Sequence, residues 1–433
     1  PAPGRDLRPG CRRAAANDTP ERPILSNYIT LPLSGLEEPL SEMEQAVQEI
    51  AHRVAADVLR PVGTRLDEMS AEDGVAPDSP LYDALQQAAG LGLSVKAMLE
   101  LEPLERERIL LIASEELSWG DAGLGCMVLV SQMPGLYAAL AGNLEMVDFC
   151  DGKLGCWGIT EPDHGSDSLD PDGSIAAPDG DYGRPNCVAR IEGDKIIVNG
   201  QKSAWVSGGT VAEVCALYCF VEEGGVTRPG VSLIVPLDLP GVSKGKALEK
   251  MGLRALNQGE IYFDNVEVPI SHLLAGPDEY EDFVRHTLAE ANVHVANMAV
   301  GMARAAYEHA HGYAHERKQG GQAIIGHQNV RYRLFHMFRK VEAARALVRR
   351  VATYNATAPE AALQGSISAK VTATQSAFEV ASVALQIFGG NGMTREYPME
   401  KLLRDSRAML IADGCNEVLA LKGGSLLVNP ELV

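Results

Sequence analysis

The stretch Cys156-Trp-Gly-Ile-Thr-Glu-Pro-Asp-His-Gly-Ser-Asp167 carries more information about function than any other part of this 433-residue chain. A short apolar run leads into a turn that presents the hydroxyls of Thr160 and Ser166, with Gly165 between them. Hydroxyls and free backbone N–H groups on a glycine-containing turn at a strand end suit a phosphate-bearing cofactor. Taken alone, the same stretch is equally typical of an ordinary polar turn.

Further motifs follow this stretch in order along the chain. They are Asn199-Gly-Gln-Lys-Ser-Ala-Trp-Val-Ser-Gly-Gly209, Met251-Gly-Leu-Arg254, Phe263-Asp-Asn-Val-Glu-Val-Pro269, Gln386-Ile-Phe-Gly-Gly-Asn-Gly392, Arg395-Glu-Tyr-Pro-Met-Glu-Lys401 and Ile411-Ala-Asp-Gly-Cys-Asn-Glu-Val418. In this order the series resembles the acyl-CoA dehydrogenase family of flavoproteins. The resemblance runs from about Leu40 to the C-terminus.

Composition limits the classes of function that the chain can have. Its formal net charge of −20 disfavours a nucleic-acid partner, because binding to phosphate backbones needs basic surface. We find no run of 18 apolar residues and therefore predict no membrane span. The 8 cysteines form no CxxC pairs, so we expect reduced thiols in the cytoplasm, or in an organelle matrix if the source is eukaryotic.

The period of the apolar residues predicts several domains of different class. We predict a flexible N-terminal arm over residues 1–39, a helical domain over 40–152 that opens on a capping box at Ser41 and Glu44, and a β-barrel-like domain over 153–272. Residues 273–433 read as a C-terminal four-helix bundle. The predicted elements show no βαβ alternation, and no GxGxxG motif follows a predicted strand. Both observations argue against a Rossmann domain. The resemblance implies the same fold.

The resemblance also implies that FAD binds between the β domain and the bundle. Thr160 matches the hydroxyl that meets the flavin ring, and Ser166 matches one that meets the cofactor or the CoA phosphates. Trp205 matches an indole that packs on the flavin, and Ser207 a hydroxyl near its polar edge, although a tryptophan in such a run is commonly a core residue. Cys415 takes the place of a threonine that helps to hold the cofactor, and Gly414 is the predicted substrate contact beside it.

A second set of matched residues concerns the FAD pyrophosphate of a neighbouring subunit. Arg317 matches the arginine that reaches across, although an arginine at a helix end also simply complements the helix dipole. Gln386, Gly389 and Gly390 match the segment that closes over the pyrophosphate, where adjacent glycines permit close backbone approach. Gln328 is assigned to the same cofactor. The resemblance implies a homotetramer.

The reaction that the resemblance implies is removal of hydrogen from Cα and Cβ of an acyl-CoA thioester. It needs a base for the α-proton, and desolvation in a dry pocket gives a carboxylate the raised pKa that suits this role. Many relatives have a glutamate followed by Gly-Thr, whereas this chain has Asp413-Gly-Cys415. Aspartate is shorter by about 1.5 Å, one C–C bond. Either Asp413 is the base for a substrate that sits deeper or is bulkier near Cα, or Glu290 is the base, or thioester dehydrogenation has been lost.

The preferred reading is an FAD-dependent acyl-CoA dehydrogenase that forms a 2-enoyl-CoA. Its electrons are expected to pass to a separate acceptor protein of the electron-transfer flavoprotein type, because the chain carries no haem, iron–sulfur or nicotinamide motif. One rival is a flavin oxidase on the same fold, since the related nitroalkane oxidase uses an aspartate base at the corresponding position. A second rival is a non-catalytic partner subunit.

Overall fold

The computed structural model describes residues 39–170 and 185–428. Residues 1–38 of the predicted arm and 171–184 of the loop between the first two strands lie outside the described residues. The order of elements is helices, then strands, then helices, as the change of apolar period predicts. The predicted boundaries between the domains stay a prediction, because they are not marked by the elements alone.

Seven helices form the N-terminal region. They are α1 Glu42–Val54, α2 Arg60–Glu68, α3 Pro80–Ala89, α4 Val95–Met98, α5 Pro103–Gly120, α6 Ala122–Leu140 and α7 Leu144–Cys150. The capping box at the start of α1 is confirmed: the Glu44 backbone N–H donates to the Ser41 hydroxyl, and the Glu44 carboxylate accepts from the Ser41 N–H. A π-helical turn over Ala55–Leu59 joins α1 to α2.

One described helix, α6, is long and apolar enough to cross a membrane by length and composition alone. Of the apolar 18-residue stretch of this helix, 56% is buried inside the fold. It packs on α5 and on the first strand of the β domain, and its Met127 and Tyr137 are almost fully enclosed. A core helix of this kind meets the same criteria as a span, so the finding is weak evidence for a membrane.

The middle region is an eight-stranded mixed sheet. Its strands are β1 Gly155–Gly158, β2 Cys187–Glu192, β3 Lys195–Lys202, β4 Val214–Glu223, β5 Val226–Pro236, β6 Val242–Lys244, β7 Ile261–Pro269 and β8 Leu273–Ala275. They are ordered β6-β7-β3-β2-β4-β5-β8, while β1 pairs with β4. Most neighbours are antiparallel, but β1 and β2 both run parallel to β4. The last strand extends the sheet into the region predicted to be helical only.

The C-terminal region is a helical bundle in which the fourth predicted helix is broken. Its helices are α8 Tyr280–Glu316, α9 Gln328–Thr357, α10 Leu363–Phe388, α11 Met399–Met409 and α12 Asn416–Val428. A two-stranded hairpin, β9 Lys318–Gln319 and β10 Gln322–Ala323, joins α8 to α9. Both hairpin residues between the strands, Gly320 and Gly321, have positive φ, as a type I′ turn requires. The break between α11 and α12 places Asp413 in a turn.

A buried ionic cluster joins the two helical regions. Glu115 on α5 is fully buried and contacts Arg304 on α8 at 3.0 Å, Arg345 on α9 at 2.8 Å and Arg349 at 3.0 Å. Burial alone would raise the pKa of Glu115, but the three arginines outweigh burial and hold that pKa at about 2. One apolar core also continues through both regions, from Leu59 to Met409. The two helical regions are therefore packed as one body.

Candidate active site

A buried ion pair fixes the turn that follows β1. The Lys202 ammonium, at the end of β3, lies 2.6 Å from the Glu161 carboxylate, and both side chains are almost completely buried. Lys202 also donates to the Ile159 carbonyl at 3.1 Å. The Thr160 carbonyl accepts from the Ser203 N–H at 2.9 Å, whereas its hydroxyl has no hydrogen bond within the described part of the chain. The backbone around Thr160 is held rigidly while its side chain stays available.

The turn after β1 touches the turn between α11 and α12. The Ser166 hydroxyl accepts from the backbone N–H of Cys415 at 3.1 Å. Gly414 has a φ of 92°, and a Cβ there would lie 3.0 Å from both Leu169 and Leu419. The sequence therefore needs glycine at this contact. The structure brings together the predicted residues Ser166, Gly414 and Cys415, although they come from opposite ends of the molecule.

Besides Ser166, two side chains from the bundle helices hold the Asp413 turn. Asn292 on α8 donates its amide to the Asp413 carbonyl at 3.2 Å. Lys370 on α10, which is fully buried, donates to the Gly414 carbonyl at 2.7 Å and to the Asn416 amide oxygen at 2.8 Å. Asp413 itself has a φ of 52°, a left-handed conformation that aspartate tolerates better than most residues. The position of its carboxylate is set by this framework.

The electrostatic environment of Asp413 favours the neutral acid more than an exposed aspartate does. Its side chain is half-buried, and burial raises its pKa to about 6, although the charge of Lys370 works in the opposite direction. Burial in turn lowers the pKa of Lys370 to about 8, and the charge of Asp413 partly offsets that effect. A carboxyl group with a pKa of about 6 exchanges a proton readily near neutral pH.

Glu290, the alternative base, faces a different part of the molecule. Two residues along an α-helix turn through about 200°, so Glu290 and Asn292 project from nearly opposite sides of α8. Asn292 contacts the Asp413 turn. The pKa of Glu290 is raised by burial and by Glu107, while its other electrostatic neighbours are Arg106, His286 and His294. The structure does not bring Glu290 to the Asp413 turn.

Trp205 and Ser207 lie on the loop after β3. The Trp205 ring is 58% exposed, so it is a bare indole face and not the core residue that such a run commonly supplies. Gln258 donates its amide to the Trp205 carbonyl at 3.1 Å and to the Ser207 hydroxyl at 3.0 Å. The loop is thus tied to the segment before β7. This tie keeps the indole outside the β-domain core.

The residues predicted to contact the pyrophosphate gather at the far end of the bundle. Arg317 follows α8 directly, about seven turns and roughly 37 Å along the helix from Asn292. Tyr313, one turn earlier, stacks on Phe388 with ring centroids 4.0 Å apart, and this contact brings Gly389 to the same end. All of the predicted pyrophosphate residues are exposed, and they are called the far set below: Arg317, Gln328 at the start of α9, Gln386, Gly389 and Gly390.

The far set is open to a ligand or to another protein surface. The Arg317 guanidinium makes no ion pair or hydrogen bond with any described residue. A Cβ built on Gly389 or Gly390 would meet nothing within 4 Å. Within the single chain, the predicted FAD residues therefore form two groups, one near the turns at Thr160 and Asp413 and one at the far end of the bundle.

Sequence reasoning missed the residues that hold the site. Lys370 was not singled out, although a lysine among the small and apolar residues of Ser366–Thr374 is itself a signal of a buried partner. Asn292 and the Lys202–Glu161 pair were missed because their partners lie far away in the sequence. No local spacing points to such contacts.

The described residues fit FAD. Thr160 offers a hydroxyl without a partner, Trp205 a flat exposed ring, and Ser207 a hydroxyl whose only described contact is one amide. The open backbone of Gly389 and Gly390 permits the approach of a phosphate group. Fold and site together define a flavin-binding oxidoreductase with a carboxylate beside the cofactor region.

Comparison with known proteins agrees with this class. Family models match residues 156–266 as the acyl-CoA dehydrogenase middle domain and residues 282–424 as its C-terminal domain. The benzylmalonyl-CoA dehydrogenase of Aromatoleum aromaticum is 30% identical over 393 residues, which cover 88% of this chain and 97% of that protein. The short-chain-specific acyl-CoA dehydrogenase of Clostridium acetobutylicum is 30% identical over 272 residues, covering 62% of this chain and 67% of the relative.

Solved structures show the same fold. Butyryl-CoA dehydrogenase from Megasphaera elsdenii superposes with a TM-score of 0.78 at 24% identity, over 91% of this chain and all of that one. Glutaryl-CoA dehydrogenase from Mycobacterium smegmatis gives 0.76 at 26% identity, over 90% and 95% of the two chains. The chain belongs to the acyl-CoA dehydrogenase family. It is a flavin oxidoreductase of acyl-CoA metabolism whose cofactor is FAD.

Proposed function

We propose that the protein catalyses α,β-dehydrogenation of an acyl-CoA thioester to a 2-enoyl-CoA, with Asp413 as the base that takes the α-proton. The observation that carries this proposal is the setting of Asp413. Its carboxylate is half-buried, has a pKa of about 6, and stands in a turn fixed by Asn292, Lys370 and Ser166.

The chemistry assigns separate tasks to the residues of the two turns. FAD, when bound, supplies the acceptor for the hydride from Cβ. The ionised Asp413 removes the α-proton, and the rigid turn keeps its carboxylate at a constant position during that transfer. The backbone at Gly414 is the proposed contact for the substrate, and the Ser166 hydroxyl fixes the N–H of Cys415 beside it.

The shorter side chain of Asp413 bears on the choice of substrate. A carboxylate that retreats by about 1.5 Å leaves space for a substituent near Cα or for a deeper thioester. One relative is named for benzylmalonyl-CoA, which carries such a substituent. We therefore expect acyl-CoA substrates with a bulky group near Cα to be preferred over unbranched butyryl-CoA.

We also infer a homotetramer in which the far set completes the FAD site of another copy. Support comes from the roughly 37 Å of helix that separates Asn292, which holds the Asp413 turn, from Arg317. Further support comes from the exposed Arg317, which has no partner among the described residues, and from the open backbone of Gly389 and Gly390. Electrons are proposed to leave to a separate electron-transfer flavoprotein. A location in the cytoplasm, or in an organelle matrix, stays a prediction.

The test is anaerobic bleaching of the bound flavin by a panel of acyl-CoA thioesters. Asp413→Asn should keep the fold and FAD but slow bleaching by about 10²–10⁴-fold, because an amide cannot accept the proton. Asp413→Glu should retain part of the activity and shift the preference towards unbranched chains. Glu290→Gln is the matched control and should leave the rate nearly unchanged.

The same experiment separates the alternatives. Bleaching that survives Asp413→Asn and is lost in Glu290→Gln would assign the base to α8 and refute the proposal. Rapid oxygen consumption with nitroalkanes and none of the acyl-CoA reaction would identify a flavin oxidase. A protein that retains no FAD and bleaches with no thioester would be a non-catalytic subunit.

A further inference from the structure

A cavity of about 560 Å³ lies between α5, α6, α8 and α9, apart from the Asp413 turn. Its walls are mostly apolar and include Leu110, Val128, Leu129 and Val293. Among the described residues, neither Asp413 nor Cys126, whose pKa is raised by burial and by the charge of Asp413, lines this cavity. The cavity is therefore a separate place in the fold.

Three ionisable side chains meet at one wall of this cavity. Glu107 on α5 faces Glu290 and His294, which are one turn apart on α8, and one donor atom from each lies within 4.8 Å of the other two. The nearest approach of His294 to Glu290, from Nε2 to Oε2, is 3.9 Å. That distance is too long for a hydrogen bond. None of these three side chains makes a hydrogen bond to any residue that the structure describes.

His294 is the independent observation that points to a ligand. Its side chain is 4% exposed, yet Nδ1 has no partner and Nε2 faces the carboxylate of Glu290 without bonding to it. A buried imidazole without any hydrogen bond is unusual, because no interaction offsets the free energy that it costs to remove the polar ring from water. A bound metal ion that accepts a lone pair of the His294 imidazole would supply the missing interaction.

Electrostatics agree with a missing positive charge. Burial raises the pKa of Glu107 to about 7, and burial together with Glu107 raises the pKa of Glu290. Arg106 and Arg349 lower these values only in part. A cation bound between two carboxylates with raised pKa values would favour their ionised forms.

We propose that Glu107, Glu290 and His294 bind a divalent transition-metal ion of the zinc class. Imidazole nitrogen and carboxylate oxygen are both zinc ligands, and helix bundles build metal sites from Glu and His side chains on facing helices. Two ligands of a tetrahedral zinc ion lie roughly 3.4 Å apart, so the 3.9 Å spacing of His294 and Glu290 needs only a small adjustment. All three residues line the cavity, so a small anionic or carbonyl ligand in it would be able to complete the coordination.

The site is independent of the proposed dehydrogenation, and so is its test. Full-length protein with bound FAD is treated with a chelator, exchanged into metal-free buffer and dialysed against Zn²⁺ alone, and bound zinc is measured by elemental analysis. The wild type should bind one zinc ion per chain more than His294→Ala does. The control His336→Ala, which removes an imidazole of α9 outside the cluster, should behave like the wild type.

Affinity and stability give two further readings. Loss of an outer-shell partner already weakens a metal site by about 10–100-fold, so loss of His294 is expected to weaken zinc binding by more than about 100-fold. Zinc should raise the thermal unfolding temperature of the wild type and of His336→Ala but not of His294→Ala. Mg²⁺ should have no such effect, because imidazole is a poor ligand for it.

A second variant keeps the proposal open to refutation. If His294→Ala does not fold with FAD, Glu107→Gln tests the same site from α5, where the side chain is half-buried. Equal zinc binding by the wild type, His294→Ala and Glu107→Gln would overturn the proposal. Wild-type protein that holds no more zinc than the dialysis buffer would overturn it as well.

Discussion

Glu115 and Asp413 are carboxylates in two regions that differ in how many cations face them. Glu115 has three arginines within 3.0 Å, and its pKa is held at about 2. Burial raises the pKa of Asp413 to about 6, and among the described residues only Lys370 opposes that shift by its charge. The first carboxylate is therefore locked in its charged form, whereas the second exchanges a proton near neutral pH. Burial alone decides neither role, because the number of partners determines the outcome.

The largest expected effect comes from removing a cation at Glu115. Arg304→Met removes the guanidinium that pairs with the buried Glu116, and it also removes one of the three that face Glu115. The free energy of unfolding should therefore fall by about 3–5 kcal/mol. Denaturant titration followed by circular dichroism measures this change. The exposed Arg350 on α9 provides the control, since Arg350→Met should change stability by less than about 0.5 kcal/mol. A loss below about 1 kcal/mol for Arg304→Met would break the comparison.

A smaller effect is expected at Arg317, which follows α8, the helix that carries Arg304. Arg317 has no carboxylate partner within the described residues, in contrast to Arg304. If it binds the FAD of another copy, Arg317→Ala should weaken FAD retention by about 1.5–3 kcal/mol, the value of a charged hydrogen bond. Cofactor content after gel filtration and the mass of the assembly would measure this. Unchanged FAD content with an unchanged assembly would refute the cross-subunit role.

The smallest effect concerns the single cation at Asp413. The base must be ionised, so kcat/KM should rise with pH through about 6 and then level off. Lys370→Met removes the charge that opposes the raised pKa, and the rising limb should therefore move to higher pH. Lys370→Arg keeps the charge and should restore the limb towards its original position. A limb that stays at the same pH in all three proteins would show that Lys370 has only a structural role.

Much of the fold could be predicted because the period of apolar residues is a local property. The capping box at Ser41 and the order of helices and strands follow from neighbours in the sequence. The parallel pairing of β1 with β4 and the break at Asp413 could not be predicted, since both depend on distant contacts. Lys370 and the approach of Glu107 to Glu290 and His294 were missed for the same reason. The two-residue spacing of Glu290 and Asn292 already indicates that their side chains project from nearly opposite sides of α8.

The ionic bridge from Glu115 to Arg304 also constrains the order in which the chain can fold during synthesis. Its two ends are 189 residues apart, and the core that surrounds it includes residues from both helical regions. When α5 leaves the ribosome, the arginines that neutralise its carboxylates and the apolar face of α8 do not yet exist. The core shared by the seven described N-terminal helices can therefore be completed only after the β domain and most of α8 have been made. A nascent chain held in that state exposes apolar surface for a long time, and a chaperone is the natural protector of such an intermediate.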